Sequence, residues 1–405
     1  MIKKNNVIVF ISASIFISAA TMTVLYTRLA DNKTGQEELF LEQFRALPYL
    51  SYTEEKADEA KKGVTVYNKE KASDGYSLGN AHLMDMEGSS IKRISPYIVV
   101  ILDNGHLLKE NPIGLGKYTW DMVPIWERKD LRIHHELILT EDNTILTATM
   151  EVHEYNGRMV EFDVIVELDL DGNEVSRWLM RENLEKIKQF HKPVPLDKPA
   201  VDVQKDKTHI DGTSPFGGDY NYHHLNSIQS LPQNPLEEDK GFRRGNWLIS
   251  LANFSLVLIL DKDTKEVLWN FGPGEIEAQH MPRMLDNGNI LIFDNGRKRR
   301  YTRIIELDPV AKEIVWEYKA DPPESFFCRT LGSIQRLPNG NTLIGDSESG
   351  RAFEVTREGE TVWEWFNPVF DKEGRRKTFY RITRYPKEKI DKILKMSYKE
   401  NRKDI

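Results

Sequence analysis

The residues of this chain that are best suited to chemistry are histidines, and they recur. His134-His135, His223-His224 and His280 each stand just before a short apolar run that leads into an Asn-containing turn. Counted back from that turn, His135 and His280 hold matching positions, and His224 lies two residues earlier. Histidine exchanges protons readily near neutral pH, which suits it to catalysis. We therefore predict that His135, His224 and His280 are catalytic residues of one site.

Arginines stand close to these histidines in the sequence and predict an anionic substrate. A guanidinium group can hold two oxygens of a sulfate or phosphate at once. The predicted substrate-binding residues are Arg283, Arg297, Arg299 and Arg351. The alternative is that they belong to solvated loops, because runs of basic residues are usually surface features.

Three histidines gathered from different segments could also bind a metal ion. The chain contains no His-x-x-x-His or Cys-x-x-Cys spacing that would favour such a site, and no phosphate-binding loop or nucleophile elbow. We predict no metal and no cofactor.

The elements that must position these residues form a repeat. Trp269, Trp316 and Trp363 follow one another at intervals of 47 residues. Between them lie short apolar runs and the turns Asn287-Gly288 and Asn339-Gly340, which are typical of tight hairpins. A repeat of this length with such hairpins indicates the blades of a β-propeller, in which small four-stranded sheets stack around a channel. The tryptophans would pack between neighbouring sheets.

The repeat predicts an all-β, six-bladed propeller over residues 63–385, with both ends of that range contributing to one blade. Such pairing closes the ring and removes its free edges. An insertion at about 179–221 interrupts the rhythm and would form a surface excursion or lid. Residues 386–405 form a polar C-terminal tail.

The N-terminus predicts a membrane anchor. Residues 7–26 are apolar and uncharged, and Lys3 and Lys4 precede them. About 20 such residues span a bilayer as a helix, and preceding lysines favour a cytoplasmic N-terminus. The predicted organisation is a signal anchor at 1–28, a juxtamembrane helix or linker at 29–62, and a propeller on the extracytoplasmic side. A cleaved signal peptide is the open alternative.

Composition narrows the possible partners. The formal net charge of −7 and the pI near 5.9 argue against a nucleic-acid-binding protein. Cys328 is the single cysteine, so the chain can form no intramolecular disulfide. Nothing in the sequence indicates an oligomeric state.

Several motifs together resemble the bacterial arylsulfotransferases. They comprise residues 223–228, the stretch 279–296 with its Asn-Gly turns, and residues 336–343, within a resemblance that covers roughly 60–385. The resemblance implies a six-bladed propeller, usually exported, that moves a sulfuryl group from an aryl sulfate to a phenol without a nucleotide donor. A histidine would carry the group, and other histidines and an arginine would stabilise charge.

Within that resemblance, His224 and His280 match two family histidines, and Arg297 is the best match to the sulfate-binding arginine, with Arg299 and Arg300 as competitors. The family's nucleophilic histidine lies in a later blade, but the corresponding stretch 327–335 contains no histidine, and none follows His280. Either His135, His224 or His280 carries the sulfuryl group, or the protein does not perform this reaction.

Two further interpretations stay open. The first is a catalytically inactive, membrane-anchored propeller that binds an anionic ligand or a protein partner. The second is a scaffold related to quinoprotein-like propellers, although Lys265 stands where their repeats usually carry Gly. Fold alone does not choose among these functions.

Overall fold

The computed structural model describes residues 41, 44–45, 51–95, 98–111, 114–200 and 216–400. Within these residues the fold consists of six sheets, antiparallel apart from one short parallel pair, arranged as the blades of a propeller. The prediction of an all-β, six-bladed propeller is confirmed. The predicted anchor at residues 7–26 lies outside the described residues. None of the helices in the described part of the chain is long and apolar enough to cross a bilayer.

The strands of the first part of the chain are β1 (Gly63–Tyr67), β2 (Tyr76–Gly79), β3 (His82–Met84), β4 (Ser90–Arg93), β5 (Val99–Ile101), β6 (Leu107–Asn111), β7 (Gly114–Tyr118), β8 (Pro124–Arg128), β9 (His134–Leu139), β10 (Ile145–Tyr155), β11 (Arg158–Leu168), β12 (Glu174–Leu179) and β13 (Tyr220–Asn221). The remaining strands are β14 (Leu225–Ser230), β15 (Trp247–Leu251), β16 (Leu256–Leu260), β17 (Val267–Phe271), β18 (His280–Met284), β19 (Ile290–Asp294), β20 (Arg303–Asp308), β21 (Glu313–Lys319), β22 (Ser333–Arg336), β23 (Thr342–Asp346), β24 (Arg351–Val355), β25 (Thr361–Phe366) and β26 (Thr383–Tyr385). The helices are α1 (Leu184–Lys188) and α2 (Lys387–Glu400).

The blades follow the chain. Blade 1 contains β26-β2-β3-β4, blade 2 β5–β8, blade 3 β9–β12, blade 4 β14–β17, blade 5 β18–β21 and blade 6 β22–β25, written from the channel outward. The inner strand β14 contacts both of its neighbouring inner strands, β9 and β18. Residues at the starts of these strands therefore share one end of the channel.

Both ends of the propeller sequence take part in closing the ring. The late strand β26 pairs with β2 as the inner strand of blade 1, with Tyr385 opposite Tyr76. The early strand β1 pairs with β25 on the outer edge of blade 6, with Val64 opposite Trp365. Closure by the two ends was predicted, but the sequence pattern placed β1 and β2 in one blade, whereas each joins a different sheet.

Local sequence explains the strands and their turns. The middle strands β15, β16 and β19 are buried along their whole length, and each is a continuous run dominated by apolar residues. The hairpin glycines Gly288 and Gly340 have φ values of 87° and 89°, which a side chain would disfavour.

The recurrent tryptophans connect neighbouring blades, as predicted. The indole nitrogens of Trp269, Trp316 and Trp363 donate hydrogen bonds to the carbonyl oxygens of Pro309, Arg357 and Met86, at 2.8, 2.7 and 2.8 Å. Each acceptor lies in the turn between the third and fourth strands of the next blade. The regular spacing thus reflects one repeated contact between blades.

The insertion lies between blades 3 and 4. It contains α1 and returns through β13, which pairs in parallel with β11. Phe216 from this segment contacts His134, with ring centroids 5.6 Å apart. Part of the insertion therefore lies against the histidine end of the channel. In the described part of the predicted linker, Tyr52 bridges to Lys377 on the propeller.

Replacing Trp363 by Ala should lower the free energy of unfolding by about 3–5 kcal/mol, because a fully buried ring and its bond to blade 1 are lost. The matched control is Trp316→Ala, which removes the same contact from a partly exposed position and should cost less. Denaturant titration of both variants checks this. Equal decreases in the free energy of unfolding would contradict a larger contribution from the buried Trp363 contact, which joins blade 6 to blade 1, than from the Trp316 contact.

Candidate active site

The histidines stand where the inner strands depart from regular geometry. Strand pairing is irregular at the starts of β9, β14 and β18. His135, His224 and Met281 there adopt left-handed backbone conformations, with φ values of 57°, 55° and 48°. Bulges of this kind redirect side chains next to active sites.

The structure brings the predicted histidines together. The ring centroids of His135 and His224 lie 4.7 Å apart, edge to face. His280 is close enough for its charge to act on both of the other rings. Blades 3, 4 and 5 therefore each contribute one histidine to a common cluster.

The equivalence of His135 and His280 that was counted from the turns does not hold in the strand register. His134 pairs with Ala148 and His280 with Phe293, and each partner is the fourth residue of the following strand. His280 thus corresponds to His134. Counting residues back from the turn matched His280 to His135 instead, because the bulge in β9 adds residues between the start of that strand and its turn.

Burial keeps these histidines neutral. It lowers the pKa of His135 well below its usual value, and neighbouring His224 adds to the effect. It lowers the pKa of His224 likewise, with His280 and Arg297 adding to the shift. Burial also lowers the pKa of His280 to about 4, although its hydrogen bond to Asn295 acts in the opposite direction. At neutral pH the cluster therefore offers uncharged imidazoles with lone pairs.

The protonation of His280 follows from its partner. The amide nitrogen of Asn295 donates to the carbonyl oxygens of Cys328 and Leu331, both at 2.7 Å. The amide oxygen of Asn295 must then accept from Nδ1 of His280, 2.8 Å away. The lone pair of the neutral ring lies on Nε2, which is buried and has no hydrogen-bond partner in the described chain.

Arg297 is the arginine best placed to receive an anion. Its Nε donates to the carbonyl oxygen of Arg329 at 3.1 Å, and its charge acts on His224 and His280. Across the described ranges, no carboxylate lies within 4.0 Å of its guanidinium group, whereas the other predicted arginines have acidic partners. Burial lowers the pKa of Arg297, so an anion would relieve the cost of its desolvation.

The other predicted arginines are already engaged. Arg299 pairs with Asp294 at 3.1 Å, Arg351 with Glu364 at 2.7 Å and Arg283 with Glu136 at 2.6 Å. Arg300 is exposed and lies over the ring of Phe327. The structure therefore pairs Arg283, Arg299 and Arg351 with carboxylates and places Arg300 against an aromatic ring.

Sequence reasoning missed a buried carboxylate directly below the cluster. The two oxygens of Glu136 contact Arg381 at 2.7 Å and Arg283 at 2.6 Å. Arg381 and Tyr380 also donate to the carbonyl oxygen of His135, at 3.1 and 2.7 Å. Tyr380 and Arg381 precede β26, just as histidines stand at the starts of the inner strands β9, β14 and β18, and that position could have revealed them.

A second missed carboxylate lies behind His134. Oδ1 of Asp163 is 3.4 Å from Nε2 of His134, and Oδ2 is 3.9 Å from Nδ1 of His223. All three side chains are buried, and burial raises the pKa of Asp163 to about 7. Nδ1 of His134 in turn lies 2.7 Å from Nδ1 of His135.

The opposite end of the channel holds a cavity of about 1400 Å³. Glu136, Arg283 and Arg381 line it, but His135, His224 and His280 do not. The ion-paired layer thus lies between the cavity and the histidines. Within the described ranges, no group of three His, Cys, Asp or Glu side chains has the arrangement of a metal site.

Residues 120–368, more than half of the chain, match the sequence profile of the arylsulfotransferases (ASST). The chain belongs to the arylsulfotransferase family. Membership implies aryl sulfates and phenols as the substrate class. No curated protein matches the chain.

Solved structures resemble this arylsulfotransferase-family propeller only distantly. A protein of unknown function from Bacteroides caccae is 14% identical, with a TM-score of 0.46 over 76% of this chain and 98% of that one. A virginiamycin B lyase from Staphylococcus aureus is 11% identical, with a TM-score of 0.38 over 69% of this chain and 71% of that one. Neither likeness bears on the chemistry of the site.

Replacing Glu136 by Gln should lower the free energy of unfolding at pH 7 by about 3–5 kcal/mol, because Arg283 and Arg381 would lose a buried counter-ion. Burial acts to raise the pKa of Glu136, but Arg381 and Arg283 more than offset it and hold that pKa below its usual value. Its stabilisation is therefore present above the unfolded-state pKa of about 4.3 and is lost as the pH falls through the folded value.

Denaturant titration at neutral and acidic pH measures both effects. Glu87→Gln, which removes an exposed pair with Lys69, is the control and should cost far less, because solvent screens exposed ion pairs. A Glu136→Gln variant as stable as this control at pH 7 would rule out a stabilising role for the buried carboxylate.

Proposed function

We propose that this protein transfers a sulfuryl group from an aryl sulfate to a phenol at the cluster of His135, His224, His280 and Arg297. The observation that carries the proposal is a half-buried arginine with no carboxylate within 4.0 Å in the described chain, set beside neutral imidazoles. A sulfate monoester supplies the negative charge that Arg297 lacks. Its sulfur would then lie within the histidine cluster.

Arg297 would bind the sulfate oxygens through its terminal nitrogens. Its Nε is already anchored to the backbone at Arg329, so the guanidinium plane is oriented before substrate arrives. Preorganised donors in a site that excludes water stabilise developing charge more strongly than donors in solution. Arg297 would thus bind the donor and stabilise the transferring group.

The histidines would supply the nucleophile and the proton acceptor. A neutral imidazole can attack sulfur and form a transient covalent intermediate. His280 presents its lone pair on Nε2 and is suited to accept the proton of the incoming phenol. His224, whose ring meets His135 edge to face, would stabilise the phenolate oxygen. This scheme needs neither a nucleotide donor nor a cofactor.

A second candidate is an inactive propeller that binds an anionic ligand at the same place. It is favoured by blade 6, where Gly332 precedes the inner strand and no histidine is present. A Cβ at Gly332 would lie 2.3 Å from the ring of Phe293, so a histidine cannot occupy this position without displacing that ring. An aryl sulfate that binds without turnover would establish this alternative.

We further propose that residues 7–26 anchor the protein in a membrane with the propeller on the extracytoplasmic side. The support is the uncharged apolar segment after Lys3 and Lys4. A reporter fused to the C-terminus that works only outside the cytoplasm should be active. Activity of a reporter that works only in the cytoplasm would overturn this topology.

Replacing Arg297 by Ala should lower kcat/KM for para-nitrophenyl sulfate, with a phenol acceptor, by about 100- to 1000-fold, as expected when one charge-stabilising donor is removed. The control is Arg300→Ala, which removes an exposed arginine from the same loop and should leave turnover unchanged. Absence of turnover by the unaltered protein with several aryl sulfates would contradict the proposal. Full activity of Arg297→Ala would refute the role of this residue.

Activity should persist well below the ordinary histidine pKa. The histidines act as neutral groups, and their folded-state pKa values are lowered, to about 4 for His280. Protonation, and with it loss of kcat/KM, should therefore occur only as the pH falls towards about 4. A pH profile of kcat/KM, measured where circular dichroism shows an intact fold, tests this. An acid limb centred near pH 6.5 would contradict the proposed neutrality.

A further inference from the structure

The family's usual nucleophile is missing from blade 6, which leaves open which histidine carries the sulfuryl group. The hydrogen bonds behind His135 bear on this question. They form a chain from the carbonyl oxygen of Thr149, through His134, to the ring of His135. The carboxyl group of Asp163 lies beside this chain, 3.4 Å from Nε2 of His134.

The chain begins with His134, whose protonation is set by its surroundings. Its Nε2 lies 3.2 Å from the carbonyl oxygen of Thr149, which can only accept a hydrogen bond. Oδ1 of Asp163 lies 3.4 Å from the same nitrogen. Nε2 of His134 must therefore carry a proton. Because burial lowers the pKa of His134 to about 4, the ring is neutral at pH 7 and Nδ1 carries its lone pair.

The next link fixes His135. Nδ1 of His134 lies 2.7 Å from Nδ1 of His135. Since the first nitrogen has a lone pair and no proton, the second must donate. His135 therefore carries its proton on Nδ1 and its lone pair on Nε2. The backbone of His135 is held separately, because Tyr380 and Arg381 both donate to its carbonyl oxygen.

The geometry points to His135 as the nucleophile that carries the sulfuryl group, with His134 and Asp163 as positioning residues that keep its lone pair on Nε2. This inference rests on the proposed sulfuryl transfer and names the atom that would perform it. The two histidines differ in what accepts their Nδ1 proton. His135 donates to the basic ring nitrogen of His134, whereas His280 donates to the neutral amide of Asn295, which cannot take the proton up.

The chemical step balances without an added reactant. Nε2 of His135 forms a bond to sulfur, the bond from sulfur to the aryl oxygen breaks, and the phenolate leaves with that electron pair. The positive charge on the imidazole spreads as its Nδ1 proton shifts towards His134, whose Nε2 proton faces Asp163. The acceptor phenol then loses its proton, its oxygen bonds to sulfur, and the electron pair of the nitrogen–sulfur bond returns to Nε2. The proton released by the acceptor equals the one that the first phenolate takes up.

The first test traps the intermediate in the full-length protein. It is mixed with para-nitrophenyl sulfate without acceptor, quenched in alkali to preserve a nitrogen–sulfur bond, and mapped by peptide mass spectrometry. We expect the sulfuryl adduct on His135. An adduct on His224 or His280, in a protein that turns over, would overturn this inference and leave the proposed function standing. Neither adduct nor turnover would overturn both.

The second test addresses the positioning residues through rates. His134→Ala should lower kcat by about a hundredfold or more, with little change in KM for the donor, because His134 acts on the nucleophile rather than on bound substrate. His134→Asn should restore part of that loss, since its amide oxygen can accept from Nδ1 of His135. Asp163→Asn should cause a smaller decrease in kcat. The control is His82→Ala, which removes a histidine that is hydrogen-bonded to Ser90 in blade 1 and should leave kcat unchanged. Equal losses for His134→Ala and His134→Asn would overturn the positioning role.

A third measurement does not depend on turnover. Nitrogen-15 NMR of the histidine rings at pH 7 distinguishes a protonated ring nitrogen from one with a lone pair. We expect His135 to have an unprotonated Nε2 in the unaltered protein and a mixture of tautomers in His134→Ala. A proton on Nε2 of His135 in the unaltered protein would overturn the inference even if the enzyme is active.

Discussion

The arrangement of the site depends on one buried ionic contact across the channel. Glu136 of blade 3 binds Arg283 of blade 5 and Arg381, which precedes the inner strand of blade 1. The oxygen of Glu136 that contacts Arg283 also accepts a hydrogen bond from Ser227 of blade 4, at 3.2 Å. Four of the six blades therefore meet at one carboxylate, directly beneath the histidines. Removing water from these charges is costly, so the contact favours only the geometry in which all of them are paired.

In the histidine cluster above that layer, burial has a different effect on charge. The ionic layer holds its charges in pairs, whereas the histidine cluster stays uncharged because burial disfavours protonated imidazole. Arg297 is the exception, because it keeps a charge with no carboxylate within 4.0 Å in the described part of the chain. A site with neutral bases and one cation suits an anionic sulfuryl donor. The cation attracts the anion, and the unprotonated bases keep the lone pairs that can attack sulfur.

The fold and the histidines of the site could be predicted from the sequence, because both depend on patterns among residues that are close together in the chain. Asn-Gly turns, buried apolar runs and evenly spaced tryptophans depend on neighbouring residues, so they predicted six blades correctly. The histidines were found because they recur at the starts of inner strands. Glu136 and Arg381 were missed because they are 245 residues apart in the chain and meet only when the ring closes. Whether an arginine has an acidic partner depends on how the strands pair, so residue types alone could not show that Arg299 and Arg351 are ion-paired.

Closure of the ring also imposes an order on assembly. The inner strand of blade 1 and Arg381 come from the last part of the propeller sequence, whereas β2–β4, onto which that strand closes, come from its beginning. Blades 3–5 supply the histidines, Glu136 and Arg283, whereas the second cation of Glu136 is supplied only by the later Arg381. A chain cut short before residue 381 would leave that carboxylate half-paired. The last residues of the propeller sequence therefore complete both its first blade and its central ionic contact.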